Sequence, residues 1–528
     1  MRSLLGRFHR PMSRGLVNNM LTMNNLGDGS TLSLDFTTMG GVLDPRLTFS
    51  RAGGGTYVGS DGYIYGVDSA TSASLAIGTG SKSVTLTATA GVDRRFQVGQ
   101  TVYFSSGANN MNGLVTAYDA STQVITINAT ATTGSGSFTS WFVGNASPRF
   151  DYSPTNIGEP RGLLVEGQTI NVCPQSQALT TGWQNVAMNT PTVPSSPTIT
   201  DPFGGTSATW KLVASSSGTS VPHTWRTATL TFTAASYTFS FWAKAAEYDR
   251  IMLCDPGSGQ GGCLFVLTGN GTATVVANVV TPTNPQITPY PNGWYRCSVT
   301  MVTAAANYAF GISGYPSSGA TTGAFGPNYI SNGTSGVYAT AMQIELGSGA
   351  SSYIPTGASQ VTRNADACSM SGSDFTNVFG DGSLGTIICS HEFSRADRGV
   401  AHQPTPFAIG SYTATNARGF SYGSYTLGIT SNYGWVYTSA NFSSALTSVA
   451  FAAKNKCAIA YNGLALTAAL NGTTNSATGS GTITVSSAIG LQIGYNTSPR
   501  DFINACVSNI KFYPTALTAA ELQALTAP

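Results

Sequence analysis

Cutting a glycan needs two carboxyl groups facing one cleft, one as acid and the other as base or nucleophile. The sequence offers two close pairs, Asp249 with Asp255 and Glu392 with Asp397. Nothing marks either as a pair across a cleft, so they are read as solvated loop acids and no catalytic residue is expected. No G-x-S-x-G, H-E-x-x-H or P-loop pattern occurs. His223, His391 and His402 are scattered, and His391 falls in an expected strand, where a satisfied strand residue is the plain reading. Calcium would draw on Asp381 in the GDGS at 380–383, with Asp374 nearby, or on Asp28 in a similar GDGS. Calcium loops place more carboxylates at fixed spacing, so no metal and no cofactor are expected.

Aromatic residues carry the better signal for binding. Sugars present apolar C–H faces on which flat rings stack, while polar neighbours bond the hydroxyls. Residues 412–437 hold Tyr412, Phe420, Tyr422, Tyr425, Tyr433, Trp435 and Tyr437 among Ser, Asn, Thr and Gly. Two readings stand, a sandwich core and a half-exposed face. Tyr433, Trp435 and Tyr437 alternate along one strand, and Tyr and Trp in series, in place of Leu and Val, tilt the balance to the exposed face. The candidate glycan contacts are Tyr422, Tyr425, Tyr433, Trp435 and Tyr437.

The eight cysteines contain no C-x-x-C pair, so a zinc site is not expected. Cys254 and Cys263 flank DPGSGQGG. Either they face each other across a hairpin as a disulfide, or all eight are small buried hydrophobes in a reducing cytoplasm.

The elements that must position these groups are strands. From Ser30 onward apolar and polar residues alternate, as in TLSLDFTT and in SYTFSFWAK at 236–244. In the latter Tyr237, Phe239, Phe241 and Ala243 share one face, and Ser236, Thr238, Ser240, Trp242 and Lys244 the other. The expected fold is all-β and multi-domain. Residues 1–29 are a basic arm, with Arg2, Arg7, Arg10 and Arg14 and no acid before Asp28. Residues 30–69 and 146–172 read as halves of one β-rich adaptor domain, split by a small inserted β-barrel or sandwich module at 70–145. Residues 173–365 suit a jelly-roll sandwich and 366–528 a second sandwich. One helix is expected, at the end, where Thr518 and Glu521 form a capping box.

Composition narrows the function classes. Only 9% of the 528 residues are charged, 10% are aromatic, and the net charge is +2. Disorder needs high charge and few aromatics, and nucleic-acid binding needs a basic field; both are excluded as expectations. No apolar run of membrane-spanning length exists, and the first residues lack the apolar stretch of a signal peptide.

LDPRLTFSRAGGGTYVGSDG (43–62), PRFDYSPTNIGEPRGLLVEGQTINV (148–172), NGWYRCSVT (292–300), GVYATAMQIELGSGASSYIPTGASQVTRNAD (336–366) and FYPTALTAAELQALT (512–526) resemble, in that order, a recurrent virion protein of tailed bacteriophages. The type occurs among tail fibres, tail spikes and head fibres. Its middle block is similar to a jelly-roll carbohydrate-binding module and its last block to a concanavalin A or laminin G lectin sandwich. The resemblance implies a structural appendage protein on the virion, assembled as a homo-oligomer, with a trimer the expected state. It implies contact with host-surface polysaccharide; the lack of a carboxylate pair marked across a cleft makes the expected contact non-enzymatic. The Arg2–Arg14 arm would then dock on a portal, adaptor or capsid protein. A purely structural decoration protein is the alternative, and a glycan-degrading spike a third reading. The long parallel β-helix repeat of depolymerase spikes is missing.

Overall fold

A computed structural model describes residues 28–39, 43–51, 55–66, 68–86, 96, 98–99, 101–106, 109–119, 122–144, 148–196, 198–255, 257, 259–323, 325–393, 404–410, 417–422, 432–436, 442–446, 454–478, 490–495 and 502–528. The arm residues Arg2, Arg7, Arg10 and Arg14 lie outside them. The described chain is all-β, in antiparallel sheets, with two short helices. Among the described residues no helix is long and apolar enough to cross a membrane.

Residues 68–144 pair among themselves. Six strands run in the order Asp68–Thr71, Trp141–Gly144, Thr101–Ser106, Asn109–Asp119, Val124–Thr133 and Gly80–Thr85. They close on their own core of Val102, Phe104, Ile125, Ile127 and Trp141.

The central sandwich packs a six-stranded sheet on a five-stranded one. The second runs Trp210–Val213, Gly336–Leu346, Ala235–Ala245, Trp294–Thr303 and Thr283–Tyr290. Period-two alternation sends Phe239 and Phe241 into the core between the sheets. It sends Ser240 and Trp242 to the outer face of the second sheet, beside Ser298 and Arg296 of the neighbouring strand.

The last sandwich recruits strands from residues 32–50 and 149–165, segments that the sequence assigns to a split adaptor domain. Leu32–Asp35 and Pro160–Val165 both pair with Ala505–Tyr513, which continues to Leu384–Phe393 and Lys454–Asn462. Thr48–Ser50 pairs with Ala367–Met370 on the edge of the facing sheet. Leu32, Leu34, Leu163 and Val165 then lie in one core with Ile387, Phe407, Ile459 and Val507. Leu32–Asp35, Thr48–Ser50, Arg149–Tyr152 and Pro160–Val165 thus join this sandwich, whereas Thr56–Val58 and Ile64–Gly66 pair with each other and Ile64 packs beside Trp242 and Trp294. A strand as short as Leu32–Asp35 cannot bury its apolar face alone, and here the facing sheet covers it.

The helix Ala519–Thr526 starts at the Thr518–Glu521 capping box and buries Leu522. A second helix, Gly372–Phe379, was not expected. Its Phe375 and Phe379 rings stack 4.6 Å apart over the core. Eight residues give too few repeats for a helical period to stand out from the surrounding alternation.

Candidate functional site

A cleft of about 580 Å³ opens between the outer face of the central sandwich and the edge of the last one. Its floor is the polar face set up by the Ala235–Ala245, Trp294–Thr303 and Thr283–Tyr290 strands. Register places Gln286 beside Ser298, and Thr288 beside Arg296, which is itself beside Trp242. The Arg296 guanidinium lies over the Trp242 ring, 4.6 Å from its centroid. Tyr290 meets the same indole edge-on at 5.7 Å. Trp242 is 1% exposed, yet its indole N–H has no hydrogen-bond partner. The Nε–H of Arg296 is unpartnered too, although its Nη2 donates to the Ser351 carbonyl at 2.6 Å.

The opposite wall comes from strands of the last sandwich. Arg161 there forks between two carboxylates, Nη1 to Asp151 at 3.0 Å and Nη2 to Glu392 at 3.0 Å. Burial pushes the Asp151 carboxyl up from its ordinary value, against the opposing pull of the Arg161 charge and of the Val58 N–H it accepts. Glu392 keeps part of its side chain open to the cleft.

Behind the cleft lies a fully buried ion network. Arg149 bonds Glu166 at 2.8 Å and also bonds Asp366; Arg51 meets Asp366 at 2.9 Å and Arg363 meets Glu166 at 2.9 Å. Ser352 donates its hydroxyl and its N–H to Glu166. Burial opposes the Glu166 charge, but the guanidinium groups of Arg363 and Arg149 overcome it and hold this carboxyl well below the usual range. Ser352 belongs to a loop of the central sandwich, whereas Arg149 lies in the strand Arg149–Tyr152 and Glu166 directly follows the strand Pro160–Val165, at the edge of the last. The network therefore fixes the two walls of the cleft against each other.

The candidates from sequence fare differently. Tyr425 and Tyr437 lie outside the described residues, as do Tyr412, Asp397 and His402. Tyr433 and Trp435 fall in the strand Asn432–Val436, opposite Ser421 and Gly419, whereas Gly434 is opposite the core residue Phe420. Tyr422 is corrected. It is 1% exposed, inside the core, with its hydroxyl 2.8 Å from His391 Nε2, so no sugar reaches its ring. Asp249 pairs with its neighbour Arg250, and buried Asp255 accepts the Gly257 N–H. Cys254 stands opposite Gly262 and Cys263 opposite Leu253, which puts the two thiols on opposite faces of their sheet. They are free, as are the other six cysteines. Asp28 and Asp381 each accept the N–H and hydroxyl of the serine two residues on, a local turn.

Sequence reasoning missed the cleft residues other than Glu392. One signal was present, a lone Trp242 on the otherwise hydroxyl-rich face of SYTFSFWAK.

No protein-family model and no curated protein matches the chain. Among solved structures, domain 4 of AbnA, a GH43 extracellular arabinanase from Geobacillus stearothermophilus, is 12% identical, with a TM-score of 0.24 over 31% of this chain and 73% of that one. Domains LG4-5 of the mouse laminin alpha1 chain are 10% identical, with a TM-score of 0.17 over 56% and 85%. Trypanosoma rangeli sialidase is 11% identical, with a TM-score of 0.23 over 92% and 98%. Likenesses of this size carry no argument about the site.

Proposed function

We propose that this chain is a non-enzymatic, glycan-binding structural protein of a bacteriophage appendage. It would sit on the virion as a homotrimer, anchored to a portal, adaptor or capsid protein through the basic arm. The ordered run of resemblant segments supports the virion setting. The observation that supports glycan binding best is the inter-sandwich cleft. It combines an aromatic floor, Trp242 and Tyr290, with the hydrogen-bonding arms of Gln286, Thr288, Arg296 and Glu392. Because Arg296 covers the Trp242 face, recognition rests on hydroxyl-directed hydrogen bonds more than on stacking. Such sites bind in the millimolar to micromolar range, about 4–8 kcal/mol, and several copies on one particle raise avidity by roughly a hundredfold or more.

Replacing exposed Gln286 and half-buried Thr288 together by alanine tests the reading. The double variant should lose retention on host-surface polysaccharide and melt like wild type. Unchanged retention would remove the cleft from recognition. Release of reducing sugar by the wild-type protein, abolished in Glu392→Gln, would replace binding by hydrolysis.

A further inference from the structure

The core of the last sandwich contains three soft donors with no role in the cleft. Leu384–Phe393 and Lys454–Asn462 are adjacent antiparallel strands, and their register sets Cys389 directly opposite Cys457. Both sulfurs lie in the core between the sheets and are fully buried. His391 follows Cys389 by two residues, which keeps it on the same face. Its Nδ1 is 3.9 Å from the Cys389 sulfur, and donor atoms of all three residues lie within 4.8 Å of one another. Among the described residues this is the one such group of three.

The far side of the imidazole is held. Tyr422 Oη sits 2.8 Å from His391 Nε2. With Nε2–H donating to that oxygen, Nδ1 carries a lone pair aimed at the two sulfurs. A partner on the second ring nitrogen is how metal-binding histidines are oriented. The spacing suits an ion as well. Bonds of about 2.3 Å to sulfur and about 2.0 Å to nitrogen span a separation of 3.9 Å at an angle of roughly 130°. That is close to the angle of a three-ligand site.

We propose that Cys389, Cys457 and His391 bind one Zn²⁺ ion inside the last sandwich. Thiolate and imidazole donors select zinc or copper(I) over calcium and magnesium, which require oxygen. Charge decides between the two. Zn²⁺ displaces one proton from each thiol, and the resulting Zn²⁺, two thiolates and neutral imidazole sum to zero. Copper(I) with the same ligands leaves a buried negative charge, which is costly in a dry core. The ion enters before the sandwich closes, so binding and folding are coupled.

The test uses the full chain, expressed with zinc supplied and purified without a metal-affinity step. Elemental analysis should find close to one zinc per chain. Cys457→Ser should lose it, and Cys368→Ser, a buried core cysteine outside the group, should retain it. Refolding with cobalt should give the near-ultraviolet charge-transfer band of thiolate ligation. If Cys457→Ser does not fold, the metal content and cobalt spectrum of the wild type decide alone. A metal-free wild type with all thiols titrating in denaturant overturns the proposal. So does a Cys389–Cys457 disulfide, which an intact mass lighter by two hydrogens would signal and peptide mapping would place. Copper bound in preference to zinc at equal supply overturns the charge argument.

Discussion

Glu166→Gln puts the buried ion network under direct test. Glu166 accepts three hydrogen bonds, from Arg149 at 2.8 Å and from the Ser352 hydroxyl and N–H at 2.6 and 2.9 Å, and it pairs with the Arg363 guanidinium at 2.9 Å. Every neighbour is a donor. Glutamine keeps the shape but presents an NH₂ where an oxygen was, so at least one donor faces another donor. It also leaves two buried guanidinium groups short of one counter-charge. Removing one member of a buried pair costs about 3–5 kcal/mol. For domains of about 150–250 residues, each kcal/mol moves the midpoint by roughly 2–4 °C, so melting should fall by roughly 6–20 °C. Lys454→Ala is the control. It breaks the Lys454–Glu159 contact of 2.8 Å, but both side chains are exposed, and such pairs contribute about 0–1 kcal/mol. Acid provides a second readout. The Glu166 carboxyl is held below its ordinary 4.5. Its contribution is therefore complete above that pH and is lost as pH falls toward the folded value. Wild type should lose stability on acidification below about 4.5, and Glu166→Gln should lose less over the same window. Calorimetry and denaturant melts at neutral and acid pH measure both effects. A variant within about 0.5 kcal/mol of wild type at neutral pH would refute the reasoning.

Two further outcomes are expected. Tyr422→Phe strips the hydrogen bond from buried His391 and should cost about 1–3 kcal/mol in denaturant melts, without changing polysaccharide retention; lost retention with unchanged stability would restore Tyr422 as a sugar contact. Trp435→Ala, at a register position that alternates with a core position, should reduce adsorption to cells while the melting temperature stays near wild type. A large drop in melting temperature would instead make Trp435 a core residue.

Local chemistry was legible in the sequence, and long-range chemistry was not. The SYTFSFWAK alternation sorted Phe239 and Phe241 from Trp242 correctly, because the period-two rule acts within one strand. The Thr518–Glu521 box was equally local. Nothing near Leu32 announces that its strand partner is Phe512, because the partner of an edge strand is set by which apolar faces remain uncovered. The cleft was hidden for the same reason. Arg161, Glu392, Gln286 and Arg296 come from segments spread over much of the chain, and only tertiary packing brings them to one space. Cys389 and Cys457 are also far apart in sequence, so a search by spacing along the chain passes over them.

The pairing of Leu32–Asp35 with Ala505–Tyr513 makes the last sandwich a clasp that closes late. On a ribosome, residues 68–144 and the central sandwich emerge complete and can fold as they appear. Leu32–Asp35 and the open edge of Pro160–Val165 must wait until residues 505–513 are made, and Thr48–Ser50 until residues 367–370 are. Pairing across such a separation is intrinsically slow, and waiting strands with open edges are prone to pair with other chains. The low charge of this sequence gives those edges little electrostatic protection. Rapid synthesis at high copy number therefore favours exchange of these strands between neighbouring copies, and a chaperone that shields residues 30–66 during translation would raise the yield of correctly closed protein.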